Sequence, residues 1–187
     1  KNIQNIMGRK LFEYPLLAAL NSKKISQVFV STDCPVIKKK IAKYKKVTLL
    51  DRPKYLATDK ALGEDVFQNA YFQIKNIISQ EGKKINLLTL LFANAPAITS
   101  KMIDKSITIL QKNKNLDSVV STSVYNMWSP LRARKLDKRG LLKPFVKFEY
   151  FGNPKTLNCD RDSQGDVYFA DMSLSTIRPK NLEDLSK

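Results

Sequence analysis

The chain contains no histidine, and its two cysteines, Cys34 and Cys159, stand far apart and form no CxxC pair. That removes the commonest general base, the nucleophilic triads that depend on it, and any soft-metal cage. Chemistry must therefore use carboxylates, lysine, arginine, backbone amides or a hard metal ion. No GxGxxG and no GxxxxGK followed by Ser or Thr is present, so no complete glycine-rich phosphate cradle can be named. Polar residues just beyond apolar runs are more informative: Ser31-Thr32-Asp33, Asn94-Ala95-Pro96 and Ser121-Thr122-Ser123. In open α/β sheets, ligands gather outside the carboxyl ends of strands, which is where such residues would lie. For Ser31, Thr32 and Asp33 a second reading competes, because strand termination and helix capping explain their polarity without a substrate. One carboxylate such as Asp33 is no hard-cation cage, and no residue is assigned as a metal ligand.

Strands and helices must hold these residues in place. Gln27–Thr32 reads as a buried strand, Val47–Leu50 as a second, Asn86–Phe92 as a third and Asp117–Val124 as a fourth. The third is almost continuously apolar, as expected of the middle of a mainly parallel sheet covered on both faces. Between the strands, apolar residues recur at helical spacing from Leu11 to Leu20, with Pro15 near the first turn, and from Gly63 to Gln80. Pro35 can open a helix that leads into Val36–Lys46, because its missing N–H would be unpaired there anyway. Thr99 or Ser100 can cap a further helix whose face carries Met102, Ile103, Ile107 and Leu110. Strand, helix, strand in alternation is the signature of right-handed crossover units around a parallel sheet. Beyond Tyr125 the order loosens. Arg132–Leu136 and Phe145–Phe148 are expected as extended pieces of a flap or subsidiary sheet within 125–162, and Gly165–Asp171 as a strand returning to the core.

Composition limits the partners. With 187 residues, the chain is of a size for one domain with a sizeable core. No run of apolar residues reaches the length of a membrane helix, so membrane insertion is not expected. The formal net charge of +16 would favour anionic partners. The excess is carried by dispersed lysines such as Lys38, Lys39, Lys40, Lys43, Lys45 and Lys46, which read as a solvated surface, and nucleic acid is not expected as a partner. The sparse cysteine content fits a reduced cytoplasmic setting.

Several short segments occur together in one order: Lys1-Asn2, Val30-Ser31-Thr32-Asp33, Arg52-Pro53 with Leu56-Ala57-Thr58-Asp59, Ala95-Pro96, Ser118-Val119-Val120 and Ser129-Pro130-Leu131-Arg132. Each is weak alone. Jointly, over roughly residues 1 to 180, they resemble the CMP-sialic acid synthetases and related cytidylyltransferases for acidic sugars. The resemblance implies an α/β, three-layer Rossmann-like nucleotide-sugar transferase fold with a mainly parallel central sheet. It also implies CTP as substrate, Mg²⁺ as cofactor, an acidic sugar as acceptor, a nonulosonic acid among the candidates, and a homodimer. Lys1 and Asn2 resemble the last two residues of the family's basic nucleotide loop. On that reading the first strand and most of the loop precede Lys1, the family's magnesium-associated aspartates follow Lys187, and 1–187 is one domain incomplete at both ends.

By the same resemblance, Lys1 neutralises triphosphate charge, Asn2 hydrogen-bonds the nucleotide or activated sugar, and Arg52 takes the place of the nucleotide-side arginine. Lys1 and Arg52 are the electrostatic catalytic candidates. The alternatives are a solvated basic terminus for Lys1-Asn2 and a loop anchor for Arg52. Arg132 resembles the flap residue that contacts the sugar carboxylate, with Arg161 as a second candidate. Gln164-Gly165-Asp166-Val167-Tyr168 is similar to the family's Asn-Gly-Ala-Ile-Tyr segment, with Gln164 and Asp166 departing from it. The main departure is Leu91-Phe92-Ala93-Asn94, where the family has a glutamine that reads the sugar. Phe92 lacks that amide, and is either a core residue or an apolar platform for a different sugar substituent, while Asn94 restores some polarity. No residue stands out as a general base. A different sugar nucleotidyltransferase, a noncatalytic relative and a nucleic-acid binder are the rival classes.

Overall fold

The computed structural model describes residues 1–158, 160 and 165–185. The chain divides into two compact units, one formed by Lys1–Ser121 with Met172–Lys187 and the other by Thr122–Asp171.

The larger unit opens with a short hairpin, β1 (Asn5–Ile6) and β2 (Arg9–Lys10), in antiparallel register Ile6↔Arg9. Its two-residue loop puts Met7 at φ 47° and Gly8 at φ 82°. Positive φ at both positions is what a twist-matched hairpin turn demands, and glycine adopts it without steric cost. Helix α1 (Glu13–Leu20) follows, with Pro15 in its first turn as the sequence requires. Strand β3 (Val28–Thr32) runs parallel to β4 (Val47–Asp51) through helix α2 (Pro35–Ile41), Val28 facing Val47 and Thr32 facing Asp51. Pro35 stands at the first helical position, the place where its missing donor costs nothing.

Helix α3 spans Gly63–Gln80, strand β5 Leu88–Leu91, helix α4 Ser100–Lys112 and strand β6 Ser118–Val124. Thr99 caps α4, its hydroxyl accepting the Met102 N–H at 3.3 Å. Strand β9 (Tyr168–Ile177) inserts between β5 and β6 to give the order β5-β9-β6. It is antiparallel to β5, with Leu91 opposite Leu174 and Leu88 opposite Ile177. Two expectations change here. Strand β5 is not the middle of its sheet, because β9 takes that position, and the returning strand starts at Tyr168 and runs on to Ile177. Leu174–Ile177 supply the burial that the Gly165–Asp171 pattern alone could not, and the left-handed backbone at Met172 (φ 56°) comes just before pairing with β5 begins.

The core explains why these elements stay together. Ile103, Ile107, Ala18, Ala19, Ala95, Ile98 and Leu174 form one cluster between α1, α4 and the sheet. Phe12, Leu16, Ile37 and Ile41 form a second over β3, with Ile3, Val28 and Val30 packed against it. Tyr71, Leu88, Ile177 and Leu182 form a third on the α3 side. Fully burying one such side chain is worth about 1.5–3 kcal/mol. Three hydroxyl groups inside are paired: the Thr176 hydroxyl lies 2.7 Å from Ser106 Oγ and 3.0 Å from Thr89 Oγ1, and Ser106 donates to the Ile103 carbonyl at 2.8 Å.

The smaller unit holds the hairpin β7 (Arg134–Leu136) and β8 (Leu142–Pro144), antiparallel with Leu136 opposite Leu142. Phe145–Phe148 is not an extended piece. Phe148–Phe151 forms a 3₁₀ turn, and its Gly152 cap at φ 125° is a backbone that glycine tolerates. Asn126 ties this unit internally, accepting the Val167 N–H at 2.9 Å and donating to Asp166 at 3.3 Å.

Candidate functional site

The carboxyl ends of β3 and β4 carry the best-built polar feature of the larger unit. Because the two strands are parallel and in register, Ser31 near the end of one and Arg52 just after the other arrive side by side. Arg52 donates from Nη2 to the Ser31 carbonyl at 2.7 Å and from Nε to Ser31 Oγ at 3.3 Å. Guanidinium geometry is a rigid fork, so two bonds on one edge fix the plane and aim of the rest. The Nη1 edge has no hydrogen-bond partner among the described residues, and the side chain is half-buried. Burial draws the Arg52 pKa down from its ordinary value, while the nearby Asp33 charge opposes that and favours the cation. The outcome is a preset positive charge at the place where α/β sheets bind ligands.

Asp33 is exposed, and Thr32 is buried with its hydroxyl accepting the Cys34 N–H at 3.1 Å. Thr32 thus performs the backbone-capping duty, while Ser31 holds Arg52.

Lys1 is exposed and Asn2 half-buried. Their backbone is anchored, the Asn2 carbonyl accepting the Phe12 N–H at 3.2 Å and the Lys1 carbonyl the Gln4 N–H at 3.2 Å. Ile3, the next residue, packs with Phe12, Ile37 and Val30 over β3. Ile3 and Val30 of β3 thus pack against one cluster.

Phe92 is the first residue past β5, and its N–H donates to the Ser173 carbonyl at 3.3 Å. Leu88 and Leu90 pack on the α3 side of the sheet, and by strand alternation Phe92 continues that face. Its ring centroid lies 5.6 Å from that of Phe67 on α3. Asn94, in the following turn, is exposed. Phe67 was legible in the sequence as one apolar position of a helical repeat, but nothing marked it as the partner of Phe92.

In the smaller unit, Arg132 is exposed on a turn fixed by its own N–H donating to the Ser129 carbonyl at 2.9 Å and by Leu131 N–H donating to Ser129 Oγ at 3.2 Å. Arg161 and Gln164, the other two sugar-side candidates, lie outside the described residues. Gly165 adopts φ 76°, a left-handed backbone that glycine tolerates. Two surface hollows of about 520 and 510 Å³ occur, one lined by Tyr55, Leu62, Gln68, Asn69 and Phe72 among others, the other by Pro144, Lys147, Phe148, Glu149 and Tyr150. Neither is lined by Lys1, Asn2, Arg52, Phe92, Asn94 or Arg132. Among the described residues, no group of three or more Asp, Glu or Cys side chains could hold a metal ion, and no helix is long and apolar enough to cross a membrane.

Comparison with known proteins adds the family context. A family model described as cytidylyltransferase matches residues 1–173. A pseudaminic acid cytidylyltransferase and UDP-2,4-diacetamido-2,4,6-trideoxy-beta-L-altropyranose hydrolase of Helicobacter pylori is 30% identical over 137 residues, which cover 73% of this chain and 25% of that protein. The chain thus spans a quarter of the length of that curated relative. Among solved structures, a CMP:2-keto-3-deoxy-manno-octonic acid synthetase complexed with CTP matches with TM-score 0.65 and 13% identity over 100% of this chain and 70% of its own. A 4-diphosphocytidyl-2C-methyl-D-erythritol synthase from Anaerococcus prevotii matches with TM-score 0.60 and 16% identity over 94% and 63%. At such identities the likeness is one of fold: an α/β fold of nucleotidyltransferase type.

Proposed function

The chain belongs to the cytidylyltransferase family, and from that premise we propose that the protein transfers a cytidylyl group from CTP to an acidic sugar, a nonulosonic acid, with release of pyrophosphate. The observation that carries this reading into the site is the Ser31-held guanidinium of Arg52 at the carboxyl ends of β3 and β4. A sugar hydroxyl attacks the α-phosphorus of CTP, a new P–O bond forms, and the bond to the β-phosphate oxygen breaks. Negative charge then builds on the departing pyrophosphate. Arg52 offers its outward edge to those oxygens without having to reorganise, which is how a preset cation lowers such a barrier. Lys1 adds charge, Asn2 positions the nucleotide, and Arg132 receives the sugar carboxylate. Arg161 and Gln164 are kept as sugar-side candidates on the resemblance alone.

Mg²⁺ is part of the proposal as the counter-ion of the triphosphate. The described residues do not make a carboxylate cage for it, so no step is assigned to the ion; its requirement is tested by chelation. The proposal also takes the fold to be three-layered and Rossmann-like, with β3–β4 and β5-β9-β6 belonging to one mainly parallel central sheet in a single domain. In support, Val28 of β3 and Leu91 of β5 pack against the same cluster beneath α1. Residues 125–162 are taken as a flap or subsidiary sheet of this domain. A homodimer through this flap fits its surface: Leu136 and Leu142 form a cross-strand pair and are 68% and 67% exposed. An isolated hairpin is marginal by itself, and a second copy would cover that apolar face. A cytoplasmic location follows from the CTP supply and the sparse cysteines.

The test is a pyrophosphate-release screen of the full-length protein with CTP or UTP, with and without Mg²⁺, against a panel of acidic sugars. Release that needs both CTP and an acidic sugar is the expected result. Turnover with UTP but not CTP would refute cytidylyl transfer, and no turnover with any nucleotide and sugar would favour a noncatalytic relative.

A further inference from the structure

We propose that the amino-terminal end of the sheet is a basic face that docks the protein, without insertion of a helix, on a membrane surface of anionic phospholipid. Strand register places several loops at this end. Val28 opposite Val47 sets the starts of β3 and β4 level, and Leu88 opposite Ile177 brings the end of β9 to the start of β5. Side chains tie the loops to one another: Gln27 Nε2 donates to Glu81 Oε2 at 3.1 Å, Lys24 Nζ to Gln111 Oε1 at 3.1 Å, and Arg178 Nε to the Leu116 carbonyl at 2.8 Å. The loop before β4 carries Lys43, Lys45 and Lys46, the one before β5 Lys84 and the one before β6 Lys114, while Lys112 ends α4. All six are exposed, and none has an ion pair among the described residues. The two acids of these loops are each paired, Glu81 with Lys83 at 2.8 Å and Asp117 with Lys180 at 2.6 Å. Arg52 and Ser31 stand at the other end of β3 and β4, so this charge is not part of the candidate site.

A lysine ammonium is a compact point charge that needs no fixed partner geometry, which suits a surface of many mobile headgroups better than one shaped ligand. Each lysine near an anionic bilayer strengthens partitioning about fivefold, over a range of roughly 10 Å at about 0.1 M salt. Two features favour lipid over nucleic acid. Single strands are held by charge together with aromatic platforms for the bases. Tyr44, the aromatic residue among the lysines before β4, is half-buried, and its hydroxyl is committed to Glu13 at 2.7 Å. Leu116, between Lys114 and Asp117, is 42% exposed, an apolar surface that the boundary between headgroups and acyl chains can cover and a phosphate backbone cannot. Docking by this end leaves the carboxyl ends of β3 and β4 turned away from the membrane.

The experiment is co-sedimentation of the full-length protein with vesicles of phosphatidylcholine alone, or of phosphatidylcholine and phosphatidylglycerol in equal parts. No nucleotide or sugar takes part, so the result is independent of the transferase reading. Binding to the anionic vesicles alone, lost as ionic strength rises from about 0.1 to 1 M, is expected. Lys43→Gln, Lys45→Gln and Lys46→Gln combined should weaken it roughly 100-fold. Lys138→Gln, Lys147→Gln and Lys155→Gln combined, at exposed positions of the smaller unit, lower the net charge equally and should weaken it less than about fivefold. If the first variant does not fold, as judged by Tm, Lys112→Gln with Lys114→Gln should weaken binding about 25-fold. No preference for anionic vesicles, or equal weakening by the two triple variants, overturns the docking face. Binding of a single-stranded or duplex oligonucleotide without binding to vesicles also overturns it and assigns the face to nucleic acid.

Discussion

Replacing Arg52 by alanine removes one half-buried guanidinium that is bonded twice to Ser31 and fixed in plane by those bonds. A hydrogen bond to a charged partner contributes about 1.5–3 kcal/mol net, and each 1.4 kcal/mol is about a factor of ten. Losing one such contact to the triphosphate and the departing pyrophosphate should therefore lower kcat/KM for CTP roughly 10- to 150-fold. Arg52→Lys keeps the charge, but a single Nζ cannot both occupy the Ser31 carbonyl and face a phosphate, so most of the loss should remain. Ser31→Ala removes the weaker 3.3 Å contact and leaves the 2.7 Å bond to the carbonyl, for an expected fall in kcat/KM of about threefold, or ~0.6 kcal/mol. The assay is initial-rate pyrophosphate release across CTP concentrations on the full-length protein, with Tm measured on each variant. A graded series, alanine worst and Ser31→Ala mildest, at nearly constant Tm is expected. If Arg52→Ala has a kcat/KM for CTP within about twofold of wild type and an unchanged Tm, Arg52 is a loop anchor and the electrostatic account of the site fails.

Two further outcomes test other parts of the structure. Glu13 is 5% exposed and accepts from Tyr44 Oη at 2.7 Å and from the Lys10 N–H at 3.1 Å, with Lys40 Nζ at 3.4 Å. Burial alone would raise its pKa, but the bonds from Tyr44, Lys10 and Lys40 outweigh it and hold the carboxyl below its ordinary 4.5. Stability from this carboxylate is thus fully present above about pH 4.5 and is lost as pH falls through the lowered folded-state value. Glu13→Gln should cost about 1–3 kcal/mol at pH 7 in urea unfolding, and the difference from wild type should shrink below pH 4; a constant difference would refute the assignment. For the hairpin, Leu142→Glu should convert a dimer to a monomer in analytical ultracentrifugation with little change in the Tm of the chain. A monomeric wild type, or an undisturbed dimer in the variant, would remove the flap as the interface.

Helix α3 was legible to the residue from Gly63 to Gln80 because its apolar positions recur over many turns and a long run averages out local exceptions. The parallel pair β3 and β4 was equally open to reading, since a proline-started helix between two short apolar runs leaves few other arrangements. The extent of strand β9 differs from Gly165–Asp171 at both ends because its first half, around Tyr168–Asp171, is exposed and its buried half, Leu174-Ser175-Thr176-Ile177, has two adjacent polar residues, of which Thr176 is buried through hydroxyl pairing with Ser106 and Thr89. Such burial carries no hydrophobic signature. In the site, residue types revealed Arg52 as a phosphate-compatible group, but its two bonds to Ser31 depend on strand register, which the sequence does not carry locally. The same holds for Phe92 and Phe67, which are brought together by the packing of a helix on a sheet. Asp104 offers a further instance. It reads as a favourable charge near the start of α4, yet its carboxylate is spent on the Ser22 hydroxyl and on the Lys23 and Lys24 amides, which pin the loop after α1 and lower its pKa.

The position of β9 has a consequence for how the chain is assembled. Its central place in β5-β9-β6 means that the two outer strands of that sheet are synthesised before the one that joins them. Arg178, immediately after β9, also supplies the donors for the carbonyls of Leu110, Asn113 and Leu116 at the far end of α4. A ribosome-bound intermediate that has emerged only as far as β6 would therefore display two open strand edges and an unfinished helix end. Such a species invites association with other nascent chains, and chaperone demand should be greatest in the interval before this last strand emerges.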